Sequence, residues 1–380
     1  MSNKRIKALS LFANVGLAET YFSECGIDVA VANELLPERA RFYSHLHPET
    51  NMICGDITDD SVFGKIAALS KSEKVDFIIA TPPCQGMSCA GKKDPYDERN
   101  FLVFYAVKMI KELSPTYVML ENVPMIQHTK IKLGDDLVSI PEYLEHELGD
   151  QYVFNKRRVV NAKDYGVPQS RIRYIVLMVK KSLEKTWEFP EPTSKPITLR
   201  QAIGHLPELD PELIDKNTLQ YFPDFEKKRL AGLSISKWHY PPKHTWKLVE
   251  WMIHTPSGRS AFGNNHYFPS KDGRRIKGAP RTYMRMDWDK PATTVMMNNK
   301  VISSFSTVHP GRLISGDAND EMERKYSDPR ALTIYELLIV SSLPLDWNIP
   351  DWANDTLIRK VIGEGVPPLL TKAAVSVLPR

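Results

Sequence analysis

Short, uninterrupted apolar runs at 6–12, 28–32, 75–80, 116–120 and 173–179 punctuate the first 180 residues. Runs of this length without polar alternation suit strands covered on both faces, as in a parallel sheet. Between them, 37–47, 61–70 and 101–113 carry apolar residues at helical spacing. The third, FLVFYAVKMIKEL, sets an apolar stripe opposite Lys108, Lys111 and Glu112. Alternating strands and helices predict an α/β fold, a doubly wound parallel sheet whose ligands bind beyond the carboxyl ends of its strands. After Lys180 the pattern dissolves into Pro, Gly, His and aromatic residues, and all seven tryptophans lie at or beyond Trp187. Helical spacing returns at 332–342 and 368–378. The chain therefore divides into a sheet domain, 1–186, a smaller irregular domain, 187–325, and a segment, 326–380, that returns to the first.

Composition narrows the class. In 380 residues, 42% are hydrophobic and 25% charged, the balance of an ordinary globular protein rather than a disordered chain, a collagen-like fibre or a coiled coil. No stretch nears the ~20 consecutive apolar residues of a membrane span. The apolar opening faintly resembles a signal peptide, but Asn14 interrupts it and no clean A-x-A site follows, so a cytoplasmic location is expected. The four cysteines, Cys25, Cys54, Cys84 and Cys89, form no C-x-x-C pair. They suit reduced thiols, and no metal site is expected. Net charge is +4, yet 227–300 holds 15 Lys and Arg against four acids. That window is +11 and leaves −7 for the rest, a distribution that suits a polyanionic partner.

The sharpest local chemistry is Thr81-Pro82-Pro83-Cys84-Gln85-Gly86-Met87-Ser88, just past a strand's carboxyl end. Two prolines restrict the backbone before Cys84 and direct its sulfur, and a polar, Gly-containing loop follows, so a nucleophilic role outweighs a buried structural one. A neighbouring strand delivers Glu121-Asn122-Val123-Pro124 to the same edge, where a carboxylate is a candidate acid or hydrogen-bond partner. The last strand opens on Gln169-Ser170-Arg171-Ile172-Arg173, whose two arginines project to one side of an extended chain. Together these groups describe a site that grips an anion or a base. At the first crossover, Phe12-Ala13-Asn14-Val15-Gly16-Leu17 is expected to lead from strand into helix. Glu34 follows the second strand and Asp56 the third, placed for the ribose and adenine of a nucleotide-like cofactor.

In order, F-A-x-V-G, N-E, G-D-I, P-P-C-Q-G-M-S, E-N-V, Q-S-R-I-R, R-x-L-T-x-x-E and G-x-x-V-P-P resemble the cytosine-C5 DNA methyltransferase family, of the bacterial restriction–modification type, over nearly the whole chain outside roughly 187–290. The resemblance implies a Rossmann-like S-adenosyl-L-methionine-dependent catalytic domain in 1–186, a basic target-recognition domain in 187–325, and closure by 326–380. It implies that Phe12, Ala13, Gly16, Leu17, Glu34, Asp56, Ile57, Pro83, Leu102 and Glu364 line the cofactor pocket. Cys84 would be the nucleophile, Glu121, Arg171 and Arg173 would hold the target cytosine, and Gln85 and Ser88 would belong to the loop that closes over DNA.

The insert interleaves His239, Tyr240, His244, Trp246 and Trp251 with Lys237, Lys243 and Lys247, and Arg274, Arg275 and Lys277 follow a glycine. These cations are the expected contacts to double-stranded DNA. The implied chemistry is attack of the Cys84 thiolate on cytosine C6, which makes C5 nucleophilic, on a base flipped out of the duplex. The chain departs from the family at Asn14 and Leu17, where glycines are usual, at Glu364, where asparagine is usual, and at Tyr335, where arginine is common. Leu17 is expected to narrow the approach to the methionine end, and Glu364 to repel or reorganise around the cofactor's carboxylate. Two alternatives share the motifs: a tRNA cytosine methyltransferase and a non-catalytic DNA-binding relative. A monomer suffices for one flipped base, and a cognate endonuclease would be a functional rather than a physical partner.

Overall fold

The computed structural model describes residues 5–83, 101–133, 136–192, 195–279 and 281–380. Among the described residues, ten strands come from the first half of the chain: β1 (Ile6–Leu11), β2 (Ile27–Glu34), β3 (Asn51–Cys54), β4 (Phe77–Ala80), β5 (Tyr117–Asn122), β6 (Lys130–Leu133), β7 (Asp136–Ser139), β8 (Tyr152–Phe154), β9 (Val159–Asn161) and β10 (Ile172–Lys180). The central sheet runs β3-β2-β1-β4-β5-β10-β8, with β9 also on β10. Strands β1 to β5 are mutually parallel, whereas β10 runs antiparallel to β5, β8 and β9. The chain order reverses between β1 and β4, the switch point at which doubly wound sheets bind ligands.

The uninterrupted apolar runs have a direct cause. Successive residues of β4, β5 and β10 point alternately into two cores, one on each face. Ile78, Val118 and Val176 face α2 (Asp60–Ser72), α3 (Leu102–Leu113) and α4 (Ile140–Leu148), which follow α1 (Pro37–Leu46). Phe77, Met119 and Leu177 face the other way, toward Leu370 and Ala374. Trp187 and Phe189, at the start of the irregular region, sit in this second core, where the Trp187 ring edge meets Phe77 and Tyr117.

The irregular region contains α5 (Leu199–Ile203), α6 (Thr218–Tyr221), α7 (Phe225–Ile235) and α8 (Trp246–Ile253), with two-stranded pairings that include the hairpin Ser270–Lys271 with Arg274–Arg275. Helices α9 (Ile334–Val340), α10 (Asp355–Glu364) and α11 (Pro368–Ser376) then return to the sheet domain. A third core unites α5, Met286, Trp288, Ala292 and Val295 with α9, α10 and the first-crossover residues Val15 and Leu17. Among the described residues no helix is long and apolar enough to cross a membrane.

The expected helix after Gly16 does not form. Positive φ at Asn14 and Gly16, 51° and 82°, breaks the regular turn, and the Thr20 hydroxyl donates to the carbonyls of Gly16 and Leu17. Turns and a short 3-10 segment, Ser23–Cys25, carry the chain to β2 instead.

Candidate active site

At the carboxyl end of β4 the chain is clamped from both sides. Thr81 donates through its backbone N–H to Leu11 O at 3.2 Å and through its hydroxyl to Phe12 O at 3.1 Å. Asn122 Nδ2 donates to Pro82 O at 3.0 Å, while its own Oδ1 accepts from Val123 N. Residues 81–83 are thereby pinned between the ends of β1 and β5. Cys84 follows Pro83 directly and, with Gln85 and Ser88, lies outside the described residues.

Glu121 comes from β5 and lies opposite Ile175 of β10. Two residues earlier on β10, Arg173 is on the same face, within diagonal reach, and its Nε donates to Glu121 Oε1 at 2.7 Å. Both are nearly buried, at 7% and 8% exposure. Burial pushes the Glu121 carboxyl above its ordinary range, and the guanidiniums of Arg173 and Arg171 pull against that rise. A carboxyl so placed can retain a proton and donate it to a ring nitrogen while an adjacent guanidinium stabilises developing negative charge. Arg171 is held differently. Its Nη atoms donate to Val295 O at 2.6 Å and Gly363 O at 2.8 Å, tying the start of β10 to the third core and to α10.

The cofactor candidates gather where β1, β2 and β3 end. Phe12 adopts φ 58° and packs against the first core, and Ala13 N donates to Asn33 O. Glu34, buried, accepts from Asn14 N at 2.9 Å and Leu36 N at 3.0 Å. Burial raises its carboxyl, while these bonds and Arg39 oppose the rise. Gly16 is required as glycine: a Cβ there would lie 2.2 Å from His47 Nε2. Asp56 is exposed after β3 and its Oδ1 accepts from Thr58 N, Ile57 and Leu102 belong to or border the first core, and Pro83 ends the clamped segment.

Two departures from the family pattern are explained locally. Leu17 is buried and turned to the C-terminal segment, where a Cβ on Gly365 would meet its Cδ2 at 2.5 Å. Its bulk is accommodated against a glycine on that side. Glu364 pairs through Oε2 with Arg39 of α1.

In the irregular region the expected cations and aromatics separate. His239 and His244 are buried. His239 Nδ1 contacts the Thr333 hydroxyl, and His244 Nε2 accepts from Ala331 N. Trp251 is buried too, in a small core with Met252, Ala261, Ile302 and Val308. The two histidines thus join the region to the residues that lead into α9, and the Trp251 ring packs within the region itself. Lys237 stands 3.4 Å from Asp351 and over the Trp238 ring, Lys243 pairs with Glu212, and Lys247 stands over Trp251. Arg274 and Lys277 are exposed on and beside a hairpin whose turn residues, Asp272 and Gly273, adopt positive φ. Arg275 is held back, donating to Phe262 O and Asn264 O and lying 4.0 Å over Phe268.

Residue-type reasoning missed Thr81, Asn122 and Arg39, since each acts through a backbone carbonyl or a distant partner. It also left R-x-L-T-x-x-E without a physical role. Arg330 forks onto Glu336 at 2.8 and 2.9 Å and reaches Asp328 at 2.7 Å, all fully buried. Glu336 also closes the capping box of α9 with Thr333. Arg330 Nε donates to Leu209 O and Asp328 Oδ1 accepts from Leu209 N, so the motif anchors α9 to the irregular region.

Comparison with known proteins gives the family and the fold. The model of the C-5 cytosine-specific DNA methylase family matches residues 6–379. The chain is 40% identical to the Type II methyltransferase M1.HgaI of Avibacterium volantium, over 97% of this chain and 96% of that protein. It is 28% identical to the Type II methyltransferase M1.HphI of Haemophilus parahaemolyticus, over 96% and 84%. In fold it is similar to the Entamoeba histolytica methyltransferase EhMeth, with a TM-score of 0.62, 14% identity and coverage of 98% and 97%. The chain belongs to the C-5 cytosine-specific DNA methylase family, and its enzymatic class is that of a DNA cytosine-5-methyltransferase.

Proposed function

We propose that the chain methylates C5 of one cytosine in a specific double-stranded DNA sequence by a covalent route through Cys84. The observation that carries this reading is the buried Glu121–Arg173 pair beside the clamped segment that leads into Cys84. Family membership implies S-adenosyl-L-methionine as the methyl donor. The residues fit it: Glu34 offers a buried carboxylate at the end of β2, and Asn14 Oδ1 and Glu364 Oε1 are buried acceptors without a partner among the described residues. Phe12, Ala13, Gly16, Asp56, Ile57, Pro83 and Leu102 complete the proposed pocket. When bound, the donor supplies an electrophilic methyl on a sulfonium.

The protein residues do the rest. Flipping the base exposes C6 at a cost of a few kcal/mol. The Cys84 thiolate forms a bond to C6 and opens the C5–C6 double bond, splitting one hard step into easier ones. Glu121 donates its proton to N3, and Arg173 steadies the developing charge. Once C5 has gained the methyl, a base takes the C5 proton, the double bond reforms, the thiolate leaves and N3 returns its proton to Glu121. Arg171 acts as a positioning residue through Val295 and Gly363.

Arg274 and Lys277 contact phosphate in this reading, as do Lys237, Lys243 and Lys247 once their weak surface pairings give way, while Gln85 and Ser88 close over the DNA. Arg275 stiffens the hairpin. In the cell the reaction protects host DNA against a cognate endonuclease, in the cytoplasm and as a monomer. Labelled methyl transfer to mixed-sequence duplex DNA, with tRNA in parallel, tests this: label on DNA at one recurrent cytosine context is expected. Label confined to tRNA, or DNA binding without transfer, would overturn it.

A further inference from the structure

Four side chains from four elements meet beside the first crossover: Asn14 after β1, Glu34 at the end of β2, Arg39 in α1 and Glu364 in the last turn of α10. The contacts are explicit. Asn14 N donates to Glu34 Oε2, and Asn14 Nδ2 donates to Val361 O, one helical turn before Glu364. Arg39 pairs with Glu364 Oε2, and both act on the charge of Glu34, in opposite senses.

Three buried atoms of this cluster have no hydrogen-bond partner among the described residues: Asn14 Oδ1, Glu364 Oε1 and Arg39 Nε. Two of the three are acceptors. A buried acceptor left unmet costs about 1–3 kcal/mol, so the cluster is incomplete without a donor. Its formal charge, two carboxylates against one guanidinium, is −1, which selects a cationic donor over a neutral one.

Resting on the cofactor reading above, we propose that Glu364 Oε1 and Asn14 Oδ1 form an acceptor pair for the α-ammonium of the methionine end of S-adenosylmethionine, with Arg39 as the positioning counter-ion of Glu364. An ammonium presents three N–H donors and one positive charge, which meets both acceptors and neutralises the cluster. Two of the four departures from the family pattern, Asn14 and Glu364, then form one recognition device rather than two defects. The carboxylate at position 364 does not face the cofactor's carboxylate, because its other oxygen is held by Arg39.

The test is equilibrium calorimetry on the full chain with three probes. These are S-adenosylhomocysteine, its des-amino analogue 5′-S-(3-carboxypropyl)-5′-thioadenosine, and 5′-methylthioadenosine, which lacks the amino-acid end. Wild type is expected to bind S-adenosylhomocysteine at least ~10-fold more tightly than the des-amino analogue, the worth of one charge-assisted contact. Glu364→Gln is expected to remove most of that preference by weakening S-adenosylhomocysteine alone, with 5′-methylthioadenosine unchanged as the check on fold and pocket. Should Glu364→Gln not fold, Glu364→Asp, which withdraws the charge by one methylene, must narrow the same preference. Equal weakening of both carboxylate-bearing probes, or no discrimination by wild type, overturns the proposal while sparing the cofactor reading. Failure of wild type to bind any of the three overturns both.

Discussion

Arg173→Met removes the charged partner of a carboxylate that is itself 7% exposed. In wild type, burial raises Glu121 and the guanidinium of Arg173 opposes that rise first. Without it, an ionised Glu121 would stand buried with its nearest counter-charge gone, a loss of about 3–5 kcal/mol for a broken buried pair. The carboxyl has an escape, because it can hold its proton. Its folded-state pKa then lies further above the unfolded value. Stability is therefore fully present below the unfolded pKa and is lost as pH rises through the folded one. Relative to wild type, the variant should lose about 1–2 kcal/mol at pH 4, below the unfolded carboxyl's pKa, where only a hydrogen bond is missing, and about 3–5 kcal/mol at pH 8.5. Urea denaturation at both pH values measures the difference. The double variant Glu121→Gln/Arg173→Met should recover most of the alkaline loss. Turnover of Arg173→Met at pH 8 should fall about 10²–10³-fold, as for removal of one preorganised charge stabiliser. A deficit independent of pH, or a double variant no better than the single, would refute this account of the pair.

Glu19, fully enclosed near Ser10 and Tyr43, is pushed up to about 7 by burial, so wild type loses stability as pH climbs from about 4.5 through 7. Glu19→Gln should therefore match wild type at pH 4.5 and exceed it at pH 8.5 by up to about 3 kcal/mol, read by chemical denaturation. Gly16→Ala combines φ 82° with a Cβ 2.2 Å from His47 Nε2. It should cost at least about 1–3 kcal/mol and lower the midpoint in the same assay. Arg274→Gln/Lys277→Gln should weaken duplex binding and flatten the slope of log affinity against log salt by roughly 1.8, at about 0.9 per phosphate contact. Arg275→Gln should instead lower thermal stability and leave that slope unchanged, because its guanidinium is bonded within the hairpin region.

Sheet strands and helices were legible because their signals are local. Runs such as FIIA, facing two cores, contain no polar break, and FLVFYAVKMIKEL spaces its apolar residues at helical period. Glu121 and Arg173 were legible as candidates because period two and strand-end position follow from sequence alone. Their 2.7 Å contact was not, since it depends on the antiparallel register that sets Ile175 opposite Glu121. The irregular region resisted reading for a physical reason. Its buried His239, His244 and Trp288 satisfy the long-range partners Thr333, Ala331 and Gly311, so residue type did not separate a core ring from a ligand-facing one. The turn after β1 misled for a similar reason: backbone φ at Asn14 is set by its bonds to Glu34 and Val361, 20 and 347 residues away.

The covalent route through Cys84 is the central claim, and a duplex carrying 5-fluorocytosine at the target position tests it most directly. Fluorine replaces the C5 proton that the base must remove, so addition and methyl transfer proceed but the thiolate cannot leave. With S-adenosylmethionine present, the account predicts a stable protein–DNA adduct whose peptide map places the link on Cys84, and no adduct with Cys84→Ser. Methylation of ordinary duplex by the same preparation with no adduct, or an adduct on another residue, would contradict it.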